Sequence, residues 1–170
     1  LGENILLLIN TINIGKGYSI KRALQFSDSE YVCIIDADVE GIMRIVMNIR
    51  DSICDYDCIV FSPEIKKGGF GFLKAFASRV VISNTGQNPS WCISGIRIVR
   101  KSILNSMQNS LDDRFGYEVS MTIELLNRGY RILNVKADFE HRLTGKTFAG
   151  FCHRGKQFLD IYKFTSSLRK

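Results

Sequence analysis

Asp36 and Asp38 flank a single alanine directly after the apolar run Tyr31–Ile35. Carboxylates at i and i+2 on a chain leaving a strand can divide their work. One meets a sugar hydroxyl or a water, and the other holds a hard divalent cation that also touches a diphosphate. A short solvated acidic turn is the alternative. The position favours chemistry, because an open α/β sheet binds its ligands at the carboxyl ends of its strands. A second cluster, Asn13-Ile14-Gly15-Lys16-Gly17, combines glycines, a helix start and one ammonium group. Glycines allow close backbone approach, and the N–H groups of a helix start favour an anion. The segment is not a nucleotide-binding P-loop, since Asn10 stands where the first glycine belongs and Gly17 follows the lysine in place of Ser or Thr. Taken alone it is equally readable as a tight strand-to-helix turn.

These residues need a scaffold, and the hydrophobic pattern outlines one. Ile5–Ile9 and Tyr31–Ile35 are continuous apolar runs, the pattern of strands covered on both faces. A helix is expected over Tyr18–Gln25. Ile42, Ile45, Val46, Ile49 and Ile53 recur at helical spacing, and Cys58–Phe61 reads as a third strand. Strands alternating with helices in this rhythm indicate an α/β layer fold with a mainly parallel sheet. Further on, the glycine-rich 67–71 stretch precedes a helix carrying Leu73, Phe76 and Val80, and a loop spans Asn84–Pro89. Ile93–Val99 is strand-like and Ser102–Gln108 helical. A helix over Glu118–Arg128 is stopped by Gly129, which suits a left-handed end position. Tyr130–Phe139 reads as a strand, His141–Arg154 as a basic loop, and a last amphipathic helix closes the chain.

The length of 170 residues fits one domain, so positions 1–170 read as a single unit. Apolar residues at 45% and charged residues at 24% exclude a disordered chain. A formal charge of +6 calls for anionic partners. The basic residues are interspersed with acids, so a phosphate-bearing small substrate explains them at least as well as nucleic acid does, and no nucleic-acid partner is expected. No apolar stretch has the ~18 residues that span a bilayer, and no secretory signal is visible. A cytoplasmic protein is expected, with the cytoplasmic face of a membrane as an alternative site and with peripheral membrane contact and self-association both compatible. The five cysteines include no C-x-x-C pair and read as reduced, buried thiols.

In their order along the chain these segments resemble the inverting, GT-A-type glycosyltransferases of family two. Asn13–Gly17, a helix and Ile34-Ile35-Asp36-Ala37-Asp38 are similar to that family's N-x-G-K-G … D-x-D region. Ser94-Gly95-Ile96-Arg97-Ile98-Val99-Arg100 resembles its S-G-x-R-x-x-R acceptor-side segment. Gly116-Tyr117-Glu118-Val119 with Gly129-Tyr130-Arg131-Ile132 resembles the part that supplies the catalytic carboxylate. His141-Arg142-Leu143-Thr144-Gly145-Lys146, with Gly150-Phe151 and His153–Gln157, is similar to the closing basic loop of the glucosyl-phosphoglycerate synthase-like branch, near the polyprenyl-phosphate hexosyltransferases. Two earlier strands of that family, which hold the nucleobase, have no counterpart. With Leu1 in first place, the expectation is a partial domain of a longer protein, lacking those strands and poor in independent stability.

The resemblance implies a Rossmann-like mixed sheet flanked by helices, of the nucleotide-diphospho-sugar transferase type, and a metal-dependent hexosyltransferase. Asp36 would contact the ribose, and Lys16 the nucleotide end of the donor. Asn13, Gly17, Ser94 and Gly95 would line the substrates, with Arg142 and Arg154 near phosphates. Asp38 and His141 would hold Mg²⁺ or Mn²⁺. Glu118 would be the general base that takes the proton of an acceptor hydroxyl. The implied donor is a UDP-sugar, and the implied acceptor a phosphorylated small molecule or a polyprenyl phosphate. By residue type alone, Glu118 is also a carboxylate favourably placed at a helix start, and Glu124 or Asp112-Asp113 could serve as base instead. The rival readings are a haloacid-dehalogenase-type phosphatase, whose h-h-D-x-D-x-[TV] pattern fits Ile34–Val39, and a non-catalytic sugar-nucleotide-fold fragment.

Overall fold

The computed structural model describes residues 5–63, 71–141 and 148–167. In chain order these form α1 (Lys16–Leu24), β1 (Tyr31–Ile34), β2 (Val39–Glu40), α2 (Ile42–Asn48), a 3-10 turn (Arg50–Asp55) and β3 (Cys58–Pro63). Then come α3 (Gly71–Thr85), β4 (Arg97–Arg100), α4 (Lys101–Met107), a second 3-10 turn (Gln108–Ser110), α5 (Tyr117–Asn127), β5 (Ile132–Ala137), β6 (Glu140–His141) and α6 (Phe148–Ser167).

The main sheet has the order β1-β4-β3-β5. β4 runs antiparallel to both neighbours, with Ile34 opposite Arg97 and Ile59 opposite Ile98, whereas β3 and β5 are parallel from Cys58↔Ile132 to Pro63↔Ala137. The sheet is therefore mixed, and the mainly parallel arrangement expected from the strand–helix rhythm is corrected. Rhythm reports alternation of elements but not direction, and the long excursion through α3 lets β4 return reversed between β1 and β3. This reversal has a consequence for function. It brings the start of β4 to the edge where β1, β3 and β5 end.

Side chains of β3 alternate between two cores, as a pleated strand requires. Cys58 and Val60 pack with Leu104, Met107, Tyr117, Met121 and Leu125 beneath α4 and α5. Ile59 and Phe61 pack with Ile42, Ile98 and Phe139 beneath α2. A third cluster joins α3, α5 and α6 through Ala77, Val81, Val119, Ile123, Ile161 and Phe164. These layers make α5 a central helix, buried along most of its length, so its first turn is held rigidly.

Several expectations need correction. Ile5–Ile9 is not a strand, and Ile5 and Leu7 are 63% and 77% exposed. An apolar run signals burial, but a strand exists only by pairing its backbone with a neighbour, and this segment has no ladder partner among the described residues. β1 lies at the sheet edge and is buried only at Ile34, so Cys33 is exposed, as is Cys54, while Cys58 and Cys92 are buried as expected. The strand expected over Ile93–Val99 begins only at Arg97, because Trp91–Ile93 form a turn. The end of the expected 141–154 loop belongs to α6, and residues 142–147 lie outside the described residues, as does most of the glycine-rich 67–71 stretch. Gly129 ends α5 with φ 69°, the left-handed conformation expected of it.

Candidate active site

The site begins with the geometry of one sheet edge. β1 ends at Ile34 and the chain passes through Asp36 and Asp38, while Gly95 leads into the reversed β4. The pairing of Ile34 with Arg97 continues outward to set Gly95 against Asp36, so closely that a Cβ on Gly95 would lie 2.3 Å from Asp36 Oδ2. α1 contributes Lys16 from its first position, and α5 contributes Glu118 from its first turn. Lys16 Nζ lies 2.5 Å from Asp36 Oδ1 and 2.6 Å from Glu118 Oε1. Burial alone would lower the Lys16 pKa, but the charges of Glu118 and Asp36 outweigh it and hold the ammonium above its ordinary value of 10.5.

These groups open into a cavity of about 410 Å³ shared by Lys16, Asp36, Asp38, Gly95 and Glu118. Leu73, Ile93, Phe115 and Ile161 form its apolar wall. A concave site with an apolar wall and a few convergent charged groups is the usual form of a small-molecule site. The wall residues come from α3, the turn before β4, the turn before α5, and α6. Their chain positions carry no common pattern, so sequence reasoning missed them.

Glu118 is fixed from both ends. Its carboxylate meets Lys16, and its main-chain carbonyl accepts bonds from Arg97 Nη2 at 3.1 Å and Thr122 Oγ1 at 2.7 Å. Arg97 is 1% exposed and also donates to the carbonyls of Cys92 and Ser94. It thereby joins the turn before β4 to the first turn of α5, with Trp91 stacked at 5.9 Å from the guanidinium. The other carboxylates considered as bases are engaged elsewhere. Asp112 accepts from the N–H groups of Arg114 and Gly116, Asp113 pairs with Lys21 at 2.8 Å, and Glu124 pairs with Arg128 at 2.7 Å. Burial raises the Asp112 pKa, and its two backbone bonds oppose that rise.

Of the two uses its residue types allow, the glycine turn displays that of a tight turn packed against backbone. A Cβ on Gly17 would lie 2.1 Å from the Asp112 carbonyl oxygen, and one on Gly15 would lie 2.3 Å from that of Asp113. The free N–H of Tyr18 donates to the Asp113 carbonyl at 2.9 Å. The close approach is thus to the chain's own 112–114 turn. Gly17 is buried there, and Asn13 is exposed and outside the cavity lining. Ser94 donates its hydroxyl to the Phe61 carbonyl, which leaves Gly95 as the member of that pair facing the cavity.

β2 and β6 form a separate two-stranded ladder in which Val39 stands opposite His141. This register sets the His141 backbone beside the residue that follows Asp38. Arg142 lies outside the described residues, and Arg154 falls within α6. Among the described residues, no group of three or more His, Cys, Asp or Glu is assembled for a metal, and no helix is long and apolar enough to cross a membrane.

Solved structures share this architecture. Glucosyl-3-phosphoglycerate synthase from Mycobacterium tuberculosis, in complex with phosphoglyceric acid, matches 93% of the chain with a TM-score of 0.70 and 16% identity. The fold is that of this synthase. The same enzyme with Mn²⁺, UDP-glucose and glycerol 3-phosphate matches 92% of the chain at TM-score 0.65 and 15% identity. Its complex with Mg²⁺ and UDP matches 93% at TM-score 0.67 and 16% identity. The mixed sheet flanked by helices that the resemblance implies is therefore present. The chain spans 56% of the length of each of these synthase structures. No family model and no curated protein matches the chain.

Proposed function

We propose that this chain carries the catalytic edge of a metal-dependent, inverting glycosyltransferase that moves a hexose from a nucleoside-diphosphate sugar to a hydroxyl of a phosphate-bearing acceptor. One observation carries the reading. Asp36, Asp38, Lys16 and Glu118 converge on one cavity at the ligand edge of the synthase fold, although they come from three separate segments of the chain.

The chemistry follows from the donor set. Asp38 offers a carboxylate and His141 an imidazole, and the pairing of the His141 backbone with Val39, the residue after Asp38, supports assigning the two to Mg²⁺ or Mn²⁺, which they would hold. Two protein ligands leave positions for diphosphate oxygens, as such ions require. The metal would supply charge neutralisation on the departing diphosphate. Asp36 would accept hydrogen bonds from the ribose, and Arg142 and Arg154 would lie near phosphates. Glu118 takes the acceptor hydroxyl proton while that oxygen bonds to the anomeric carbon from the face opposite the leaving group. The bond from that carbon to the diphosphate oxygen breaks with its electron pair, and the nucleoside diphosphate departs. The apolar wall excludes water that would otherwise compete as acceptor.

Phosphorylated acceptors are supported by the +6 charge and by the neighbouring structures, which are complexes with phosphoglyceric acid and with glycerol 3-phosphate. The test is a screen of UDP-sugars with phosphorylated three-carbon acceptors and polyprenyl phosphates, in Mn²⁺, on the full-length protein that contains this sequence. Acceptor-dependent release of UDP is expected. Release of phosphate from simple phosphomonoesters, without sugar-nucleotide turnover, would overturn the reading.

A further inference from the structure

One ammonium group serves two carboxylates across the cleft. Lys16 Nζ is within 2.5 Å of Asp36 and 2.6 Å of Glu118, so the two carboxylate oxygens stand no more than about 5 Å apart, a spacing at which like charges repel unless a cation lies between them. The Glu118 side chain retains 11% of its exposure and that of Lys16 24%, so solvent screens the group only in part.

The surrounding backbone fixes this arrangement. The Gly15–Gly17 seam against Asp112 and Asp113 sets the distance between α1, which carries Lys16, and α5, which carries Glu118. Gly95 closes the third side, where a Cβ would meet Asp36 Oδ2 at 2.3 Å and Lys16 Nζ at 2.6 Å. Three glycines from two segments thus bound a space that admits one ammonium and two carboxylates.

We propose that Lys16 is a shared positioning cation that ties the donor-side carboxylate Asp36 to the acceptor-side base Glu118 and sets the orientation from which Glu118 receives the acceptor proton. The roles of the two carboxylates rest on the glycosyl-transfer reading, but the tie between them does not. Loss of either carboxylate passes the ammonium to the other. Engagement of Asp36 by a donor hydroxyl likewise leaves Lys16 more fully to Glu118, so filling the donor side prepares the base.

The test is a double-mutant cycle on the full-length protein with Lys16→Met, Glu118→Gln and the double variant, together with Gly95→Ala. At saturating donor and acceptor, Lys16→Met should lower kcat about 10²-fold while Glu118 is present. In the Glu118→Gln background it should lower kcat less than about twofold, because residues acting as a unit lose their effects together. Multiplicative losses would overturn the proposal. Gly95→Ala keeps every charge and displaces only the flexible ends of Asp36 and Lys16. It should lower kcat with an unchanged melting temperature, and wild-type kcat would equally overturn the proposal. Urea unfolding of the same four proteins in the Lys16–Glu118 cycle needs no substrate. A double variant no less stable than the weaker single variant supports the tie, and additive destabilisation removes it. If the wild type transfers no sugar, the glycosyl-transfer reading fails, and the unfolding cycle still decides the tie.

Discussion

Gly17→Ala isolates the contact on which the site geometry depends. The added methyl would sit 2.1 Å from the Asp112 carbonyl oxygen, 2.8 Å from Tyr117 Cδ2 and 3.0 Å from the Asp113 carbonyl carbon. Two of these neighbours are backbone atoms and the third belongs to a tyrosine packed in the core, so none can swing aside as a surface side chain would. α1 must move away from the 112–117 turn or the turn must deform. Overpacking of this kind typically costs about 1–3 kcal/mol. For a chain of this size each kcal/mol lowers the melting temperature by about 2–4 °C, so a fall of about 2–12 °C is expected. Gly155→Ala is the internal control. Gly155 lies in α6, is exposed, and its Cβ would meet nothing within 4 Å. The same substitution there should stabilise by about 0.4–1 kcal/mol through helix propensity and reduced unfolded-state entropy. Differential scanning calorimetry of both variants reads the contrast directly. If Gly17→Ala melts with the wild type, or if both variants shift alike, the close approach of α1 to the 112–117 turn is wrong, and the placement of Lys16 falls with it.

Other consequences can be checked separately. Glu118→Gln should lower kcat about 10²–10⁴-fold, the usual contribution of a general base, whereas Glu124→Gln, whose carboxylate serves Arg128, should stay near wild type; the reverse ranking in steady-state assays would reassign the base. Asp38→Ala should take up Mn²⁺ in the presence of UDP much more weakly than wild type by isothermal titration, and equal uptake removes Asp38 from the metal site. Because the folded-state pKa of Lys16 is raised above 10.5, its ion pairs contribute stability that is fully present below that value and is lost as pH rises through the folded pKa. Urea midpoints of wild type and Lys16→Met should therefore differ at neutral pH and converge above the ordinary lysine range; a constant gap would mean that Lys16 stabilises by packing alone.

Candidate residues were legible in the sequence where the residue type itself carries the signal. Asp36 and Asp38 stand out because two carboxylates directly after an apolar strand lie at the ligand edge of an α/β sheet, and Glu118 because a carboxylate at a helix start can face a ligand; the fold brings all three to one cavity. Gly129 was identifiable as a helix stop for a similar reason, since a left-handed position favours glycine. Pairing information was less accessible. Ile5–Ile9 has the composition of a core strand but no ladder partner among the described residues, and β1 reads as fully buried although only Ile34 of it is. Composition records the tendency to be buried, and only the fold decides which neighbour satisfies it. For the same reason the reversal of β4 left no local mark, although it is what carries Gly95 to Asp36.

The glycine turn shows how one set of residues supports two readings until its partner is known. Glycines before a helix imply that something approaches the backbone closely, and an anion is the natural candidate when a lysine lies among them. The approaching group is the Asp112–Arg114 backbone, nearly a hundred positions away in the chain. The lysine's ammonium lies between Asp36 and Glu118. The inference from glycine to close contact was sound, and only the identity of the contact was missing. Its consequence for function is larger than that of an anion site. A bound phosphate would have engaged one side of the cleft, whereas a packed seam between α1 and the start of α5 holds Asp36 and Glu118 on a single ammonium.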